Sequence, residues 1–524
     1  MTNRSSLIKS LRARILFGLL LASATLGLIA CAHNYYKFPE FTFAGRPIPP
    51  SLLAERVMVA VTTNGSSGSL QILDAFRDIR NNVQDTKPTF SISGSVGAFP
   101  NLILNFPAEV KGYVYSSVGG TVNIINYGTE ASTGTAGPFS GATSLAIPPT
   151  FGHIYAAIPT SGQLAIQDFT STAGTYILNI PNVYQVAVNT GDTVVLAMVR
   201  NPNTVSNPNT VPGNSNTVYR IIKLNSNQYP TSTAAIAAIG SNVVDCEPFN
   251  LPIYCAIQVN TGTTAVNPFD RPIGVSFSLD GSTAYVLNCG PECGGTTSSV
   301  TFLQQGALDV NSFTTGSTPN ANAFVANVPV PGGATDALTD GTTLYVAGQQ
   351  IQTDGRLAGR LSTINLATVA TSPSTAVTAQ YSISDGTHTK MLFADNNTLW
   401  IGSQLCATGE RAFQASLGVT TQAANYNCLT RFDLSALTAS IVPAVNQNTG
   451  VAVAFPNTNQ NQFYYGDLTG LCWVESFNKV YTAYGGQVHA FNTADGSEIN
   501  NSLITVQGTA LDVAYLDSIT DADD

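Results

Sequence analysis

A strand–turn–strand pattern recurs along most of this chain, and recurrence at a period of this size constrains the fold more than any other sequence feature. In residues 273–288, IGVSFSLDGSTAYVLN, alternating apolar residues lead to Asp280-Gly281 and then resume. Asp-Gly between two alternating runs is a strong hairpin signal. Six further segments show the pattern with varying regularity: 101–117, 144–158, 183–199, 334–348, 391–403 and 470–484. The sequence therefore predicts a series of β-hairpins.

Further alternating segments lie between these hairpins. A third strand is predicted after each of them, at 121–127, 163–169, 217–225, 299–305, 360–366, 428–434 and 487–493. A less regular fourth strand is predicted at 174–180, 324–330, 379–385 and 502–508. Four antiparallel strands cannot bury both faces of their own sheet, so neighbouring sheets must stack, and stacking around an axis limits exposed edges. The predicted fold is an all-β propeller with four-stranded antiparallel blades.

The two ends of the repeat region complement each other. Residues 56–63 and 69–76 have the pattern of a second and third strand that lack a first, and residues 510–518 have the pattern of that first strand. We therefore expect the C-terminal strand to complete the first blade and close a single domain over residues 56–518. This arrangement favours eight blades, with seven as the alternative if a weak unit is misassigned. A different repeated β architecture, such as an array of β-sandwiches, is the alternative to a propeller.

Composition supports an all-β chain and excludes some partners. Only 10% of the 524 residues are charged, while 45 Gly and 27 Pro interrupt the sequence too often for long helices. The formal net charge is -10. Binding to nucleic acid requires clustered Lys and Arg that neutralise phosphates, so we expect no nucleic-acid partner. Direct binding to an anionic lipid surface is disfavoured for the same reason.

Two of the units carry a more specific signature. TTLYVAG (342–348) and STAYVLN (282–288) follow an Asp-Gly turn and place Tyr-Val at the start of the next strand. This pattern resembles the YVTN-type repeat of surface and secreted β-propellers. The resemblance covers most of 56–518 as a pattern and is close in two or three units. It implies the propeller fold and says much less about activity, because one fold supports many functions.

The N-terminus resembles a secretion signal. Four basic residues precede an uncharged apolar run, residues 15–30, which is shorter than the roughly 20 residues that span a bilayer as a helix. The run ends in Leu28-Ile29-Ala30-Cys31, which resembles the lipobox of bacterial lipoproteins. The resemblance implies cleavage after residue 30 and attachment of diacylglycerol to Cys31. The alternative is an uncleaved anchor followed by an incidental cysteine.

The segments that flank the repeat region complete the predicted organisation. Residues 31–55 would form the lipidated cysteine and a Pro-rich tether, and residues 519–524 an acidic tail. Ala32 is not the Asp that resembles an inner-membrane retention signal. We therefore expect a lipid-anchored protein of the cell envelope, at the outer membrane or cell surface if the organism has two membranes. The envelope type and the oligomeric state stay open.

The cysteines after Cys31 predict disulfides, since an exported protein meets an oxidising compartment. Proximity in sequence suggests three pairs: Cys246 with Cys255, Cys289 with Cys293, and Cys406 with Cys428. Each would close a loop that has few apolar residues of its own. A thiol-exchange or metal site at 289–293 is less favoured, because no histidine is nearby in sequence to complete a zinc site. Cys472 lies in an alternating strand and is predicted to be a buried thiol.

Two hypotheses about function remain, because no catalytic, phosphate-binding or dinucleotide-binding motif is present. We expect His153, His489 and the Asp of each Asp-Gly turn to be structural, and we predict no catalytic residues, metal or cofactor. The favoured hypothesis is a noncatalytic scaffold that binds protein or glycan through the insertions at 200–216, 226–270 and 404–427. The alternative is an enzyme, lactonase-like or quinoprotein-like, with ionisable residues from several blades converging in the central channel.

Overall fold

The computed structural model describes most of the repeat region, which forms one compact unit from Ile48 onward. The described residues are 47–80, 92, 96–170, 174–200, 216–224, 232–239, 242–247, 253–262, 267–312, 320–418, 425–446, 449–455, 457–458, 465–499 and 504–518. Cys31 and the acidic tail lie outside them, as do His33 and residues 201–215. No helix among these residues is long and apolar enough to cross a membrane.

The strands form eight antiparallel sheets, and each sheet is one blade. From the innermost strand outward, blade 1 contains β33 (Thr509–Tyr515), β1 (Arg56–Thr63), β2 (Ser67–Asp74) and β3 (Ile79–Arg80). Blade 2 contains β4 (Pro100–Phe106), β5 (Lys111–Ser116), β6 (Thr121–Asn126) and β7 (Ala131–Ala136). Blade 3 contains β8 (Ser144–Ala146), β9 (His153–Ile158), β10 (Gln163–Asp168) and β11 (Gly174–Asn179). Blade 4 contains β12 (Val183–Val188), β13 (Val195–Val199), β14 (Thr217–Leu224), β16 (Ile253–Gln258) and a fifth strand, β15 (Val243–Glu247).

The second half of the chain repeats this order. Blade 5 contains β17 (Pro272–Phe277), β18 (Thr283–Asn288), β19 (Ser299–Gln304) and β20 (Phe324–Pro329). Blade 6 contains β21 (Asp336–Thr339), β22 (Thr343–Ile351), β23 (Leu357–Asn365) and β24 (Val377–Ser382). Blade 7 contains β25 (Thr387–Ala394), β26 (Thr398–Gln404), β27 (Leu429–Asp433) and β28 (Thr438–Val442). Blade 8 contains β29 (Leu468–Val474), β30 (Lys479–Tyr484), β31 (Gln487–Asn492) and β32 (Glu498–Ile499).

Helical structure is confined to the connections. The described residues contain two α-helices, α1 (Ser232–Ile239) and α2 (Glu410–Ser416). Short 3₁₀ turns lie at Pro107–Glu109, Gly290–Cys293, Gln305–Ala307, Leu366–Thr368 and Pro373–Thr375. The all-β class and the eight antiparallel blades, seven of four strands and blade 4 with a fifth, confirm the fold predicted from the sequence.

Apolar side chains between successive sheets hold the ring together. A separate hydrophobic cluster fills each of the eight interfaces between blades, including the interface between blade 8 and blade 1. Alternation along each strand gives both faces of a sheet to its two neighbours, so every blade depends on the next. The ring is therefore closed by packing as well as by strand pairing.

The tyrosine of the repeat has a structural role at these interfaces. It is the third residue of the second strand in blades 2, 3, 5, 6 and 8, and all five are buried: Tyr113, Tyr155, Tyr285, Tyr345 and Tyr481. Tyr155 donates its hydroxyl to Asp192 of blade 4 at 2.9 Å, and Tyr481 donates to Asp78 of blade 1 at 2.6 Å. A buried phenol requires such a partner. Tyrosine at this position thus contacts the neighbouring blade, and Tyr285 and Tyr345 of the Tyr-Val units do so through the hydrophobic clusters between blades.

Blade 1 is assembled from both ends of the chain, as predicted. Strand β33 pairs antiparallel with β1, with Val57 opposite Tyr515. Arg56, at the start of β1, donates to Asp517 at 2.6 Å and to Glu130 of blade 2 at 2.9 Å. The packed body also begins earlier than residue 56, because Ser51 donates its hydroxyl to Glu130 at 2.6 Å. Part of the predicted tether therefore belongs to the propeller.

Blades 4 and 8 differ from the sequence prediction in their outer strands. The fourth strand of blade 8 is β32 at Glu498–Ile499, whereas the described part of the predicted 502–508 strand, 504–508, is not a strand. There the side chain of Gln71 bonds both backbone groups of Gln507, which replaces strand pairing. The insertion at 226–270 contains regular structure, since β15 and β16 form the outer strands of blade 4. Strand β16 is mostly buried, whereas β15 at the outer edge is half-buried.

Candidate functional site

The longest connections between second and third strands belong to blades 4 to 7. Because all blades run in the same direction from the innermost strand outward, these connections lie on one face of the ring, which we call the loop face. The corresponding turns in the other blades are short, as in Gly485-Gly486 between β30 and β31. Function in such folds resides in loops that a rigid scaffold positions. The loop face of blades 4 to 7 is therefore the strongest candidate for a functional site.

Disulfides hold three of the insertions, and the pairs are those predicted from proximity. Cys246 bonds Cys255 across β15 and β16, where the two residues are opposite each other. The other two bridges close loops on the loop face, Cys289–Cys293 in blade 5 and Cys406–Cys428 in blade 7. Cys472 is buried in β29 and lies outside these bridges.

The blade 7 loop is anchored to blade 6 by two ion pairs. Arg411 of α2 is buried, donates from Nε to the carbonyl of Leu357 at 2.7 Å, and pairs with Asp354 at 3.1 Å. Arg356 pairs with Glu410 nearer the solvent, and Glu410 keeps 69% of its side chain exposed. The buried pair fixes the helix in place, while the exposed pair contributes little to stability and can exchange partners.

These contacts enclose a cleft of about 250 Å³ between the loops of blades 6 and 7, which we call the loop cleft. It is lined by Gln349, Gly355, Arg356, Leu357, Asp385, Gly386, Thr387, Leu405, Cys406, Gly409, Glu410, Arg411 and Ala412. At its base Asp385 accepts from the backbone N–H of Gly359 at 2.9 Å and of Asn425 at 2.8 Å. Burial raises the pKa of Asp385 above its ordinary value. The cleft combines fixed charges with apolar walls.

Exposed apolar side chains lie on the same two loops as the residues that line the cleft. Ile351 and Leu405 are each 52% exposed, Phe413 of α2 is 58% exposed, and Leu417 is 59% exposed. Scattered exposed apolar residues are ordinary, whereas several on one pair of adjoining loops indicate a contact surface. An aromatic residue and arginines in such a surface are typical of protein interfaces.

A hydrogen-bond chain connects the loop cleft to blade 5. Glu292, between the two cysteines of the 289–293 bridge, accepts from the backbone N–H of Gln349 at 2.9 Å and from its Nε2 at 2.9 Å. The Oε1 of Gln349 accepts from the backbone N–H of Gly386 at 3.0 Å. Burial raises the pKa of Glu292 to about 7. Three blades thus meet at the base of the cleft.

The central channel contains a smaller group of charges. Lys390 of β25 pairs with the buried Asp512 of β33 at 3.4 Å, and Asp336 of β21 lies near the same lysine. Burial raises the pKa of Asp336 to about 6. The cavity beside Lys390 is about 60 Å³, against about 250 Å³ for the loop cleft. Lys390 compensates one of the two carboxylates, and the cavity beside it is small.

A larger cavity, about 330 Å³, lies on the opposite face between blades 5 and 6. Its walls are mainly apolar and include Leu279, Phe302 and Val369. Asp280, its one carboxylate, is occupied by its own turn, since it accepts from the N–H of Ser282 at 2.9 Å. With one carboxylate and no cationic side chain in its lining, this cavity has fewer charged groups to orient a ligand than the loop cleft.

The described histidines take part in contacts within the fold. His153 bonds Asp192 of blade 4 at 2.5 Å and Tyr254 at 2.9 Å, and His489 bonds Glu498 at 2.6 Å. His388 is fully buried, and burial lowers its pKa to about 4. Among the residues that the structure describes, no three His, Cys, Asp or Glu side chains are grouped to hold a metal ion.

The sequence analysis identified the insertion at 404–427 but not the charged residues that make it a site. Arg356, Glu410 and Arg411 belong to two blades, and Glu292 belongs to a third. The available signal was compositional: two charged clusters, 354–356 and 410–411, in a chain with only 10% charged residues. Only the ring geometry shows that they meet.

Three solved structures that are similar to this chain are of differently named proteins, and each is distant from it in sequence. Dihydro-heme d1 dehydrogenase NirN is 12% identical, with a TM-score of 0.49 over 90% of this chain and 79% of that one. AztD from Citrobacter koseri is 9% identical, with a TM-score of 0.42 over 88% and 98%. A putative 6-phosphogluconolactonase from Bacteroides uniformis is 11% identical, with a TM-score of 0.40 over 88% and 99%. No protein-family model matches the chain, and neither does any curated protein. These likenesses carry no argument about activity.

Proposed function

We propose that this chain is a noncatalytic, lipid-anchored propeller of the cell envelope that binds a partner protein at the loop cleft. The single observation that carries the binding role is the cleft itself, with exposed apolar side chains around an ion pair that can exchange partners. Arg356 keeps 28% of its side chain exposed, so a carboxylate of the partner can replace Glu410 without uncovering a buried charge. Phe413 and Leu417 would bury apolar surface against the partner.

The favoured partner is a protein rather than a glycan. The residues that line the loop cleft include no aromatic platform for a sugar, and the exposed Phe413 lies outside that lining. An exposed aromatic residue together with arginines is typical of protein interfaces. A channel enzyme, lactonase-like or quinoprotein-like, is supported by the convergence of Asp336, Lys390 and Asp512, but the small cavity beside Lys390 counts against it.

Site-specific photocrosslinking in cells tests the binding site. We expect p-benzoylphenylalanine at position 413 to give a discrete protein adduct, and Arg356→Glu to lower its yield by about tenfold or more, as for a central interface arginine. Position 279 on the opposite face is the matched control, because Leu279 is 74% exposed and equally apolar. Equal adducts at both positions would contradict the proposal. Absence of a protein adduct, with binding to a glycan array that Arg356→Glu abolishes, would assign the cleft to a glycan.

The lipid anchor is tested separately by metabolic labelling. Cys31 follows a basic and apolar leader, which is the order that export and lipidation require. We expect the parent chain to incorporate a labelled fatty acid and to sediment with membranes, and Cys31→Ala to lose the label. Cys472→Ala is the matched control and should keep it. Unchanged labelling of Cys31→Ala would refute the lipoprotein assignment.

A further inference from the structure

Gln349, which lines the loop cleft, is bonded to a carboxylate whose surroundings compensate its charge poorly. Glu292 is held between Cys289 and Cys293, and among the described residues its two oxygens accept hydrogen bonds from Gln349. The charged groups around its loop have other partners: Arg200 donates to Sγ of Cys293, and Arg271 donates to the carbonyl of Gly294. Among the described residues, no cation lies within ion-pair distance of Glu292.

On the blade 6 side, the guanidinium of Arg360 also has other hydrogen-bond partners. Arg360 of β23 is opposite Gly348 of β22, and its guanidinium donates to the carbonyl of Gly359, the hydroxyl of Ser382 and the side chain of Gln352. The amide donors of Gln349 therefore stabilise the ionised form of Glu292, while burial opposes it. A carboxylate in this position gains a proton more readily than an exposed one.

We propose that protonation of Glu292 changes the shape of the loop cleft by reversing the side-chain amide of Gln349. In the ionised state Gln349 gives Nε2–H to Glu292 and offers Oε1 to Gly386. The protonated carboxyl must donate its own O–H, and Oε1 of Gln349 is the acceptor within reach after the amide rotates by half a turn. Nε2 then faces the N–H of Gly386, and two donors cannot bond each other.

Loss of the hydrogen bond from the N–H of Gly386 would change the wall of the loop cleft. Gly386 has a φ of +92°, and a Cβ there would lie 2.1 Å from the carbonyl oxygen of Gln404 and 2.8 Å from the nitrogen of Cys406. The backbone of Gly386 is thus in close contact with the segment that carries Leu405 and Cys406, which both line the cleft. A shift of Gly386 must move this wall. The cleft would be formed above neutral pH and altered below it.

Hydrogen exchange on the unliganded chain tests this inference, which rests on the proposed function only for the meaning of the cleft. After correction for intrinsic exchange, we expect the protection of the Gly386 N–H to fall about tenfold from pH 8 to pH 6, because its acceptor is lost. Glu292→Gln, which resembles the neutral acid, should show the low-pH protection at both pH values. Glu109→Gln, which changes an exposed glutamate in the turn at Pro107–Glu109 of blade 2, is the matched control and should behave like the parent.

Each other result would overturn the inference. Equal protection of Gly386 at pH 6 and pH 8 in the parent would show that the amide of Gln349 does not reverse. A pH response retained in Glu292→Gln would assign it to another group. If Glu292→Gln does not fold, Gln349→Met takes its place and should leave Gly386 unprotected at both pH values. If crosslinking at position 413 fails while the exchange of Gly386 depends on pH as expected, the proposed function is refuted and the inference about Glu292 and Gln349 still holds.

Discussion

A chain shortened to residues 1–508 is expected to lose the whole folded propeller rather than one blade. The deletion removes β33, which is the innermost strand of blade 1 and contacts both β29 and β4. Leu511, Val513, Tyr515 and Leu516 are all buried. Four side chains of this kind contribute on the order of 6–12 kcal/mol, which is comparable with the total stability of a typical domain, about 5–15 kcal/mol.

The unfolding should be cooperative because β33 belongs to two interfaces. Residues of β33 lie in the hydrophobic cluster shared with blade 8 and in the cluster shared with blade 2. Asp512 also accepts from the N–H of Ile103 in β4 at 2.8 Å. Without β33 the ring opens, and both neighbouring blades expose apolar faces.

Circular dichroism and thermal unfolding provide the measurement. A chain ending at residue 518 is the matched control and should melt like the parent, because β33 and Asp517 are retained. We expect a synthetic peptide of residues 509–518 to restore folding of the shortened chain when added in trans. A shortened chain that melts cooperatively within a few degrees of the parent would contradict closure by the C-terminal strand.

The sequence was sufficient to predict this closure because the relevant signal is local. Alternation in 56–63, 69–76 and 510–518 identifies three strands, and the absence of a first strand before residue 56 leaves one way to pair them. Edge strands such as β32 were not predictable, because a strand of two residues has no period. An outer strand pairs with only one neighbouring strand, and its apolar pattern is weaker.

The candidate site was less predictable than the fold for a physical reason. The three disulfides follow from cysteines near each other in sequence, and the structure has those pairs. Arg411 and Asp354 are 57 residues apart, and Glu292 and Gln349 are also 57 apart. Contacts between neighbouring blades recur at roughly one repeat length, so no local pattern reveals which charged residues face each other.

Removing the Arg56 guanidinium by Arg56→Ala is expected to destabilise the propeller by about 3–5 kcal/mol, since it leaves buried carboxylates without their cation. Arg56, Glu130 and Asp517 have side chains only 1–3% exposed. Arg56 also donates to the carbonyl of Tyr127 at 2.7 Å. One side chain thus joins the first strand, the C-terminal segment and blade 2.

Urea unfolding at pH 7.5 would measure the change in free energy. Arg356→Ala is the matched control, because its ion pair with Glu410 is exposed and such pairs contribute about 0–1 kcal/mol. The cost of Arg56→Ala should fall when Glu130→Gln and Asp517→Asn are added, since the neutral side chains no longer bury unpaired charge. A loss for Arg56→Ala no greater than that for Arg356→Ala would mean that strand pairing and apolar packing close the ring without this ion pair.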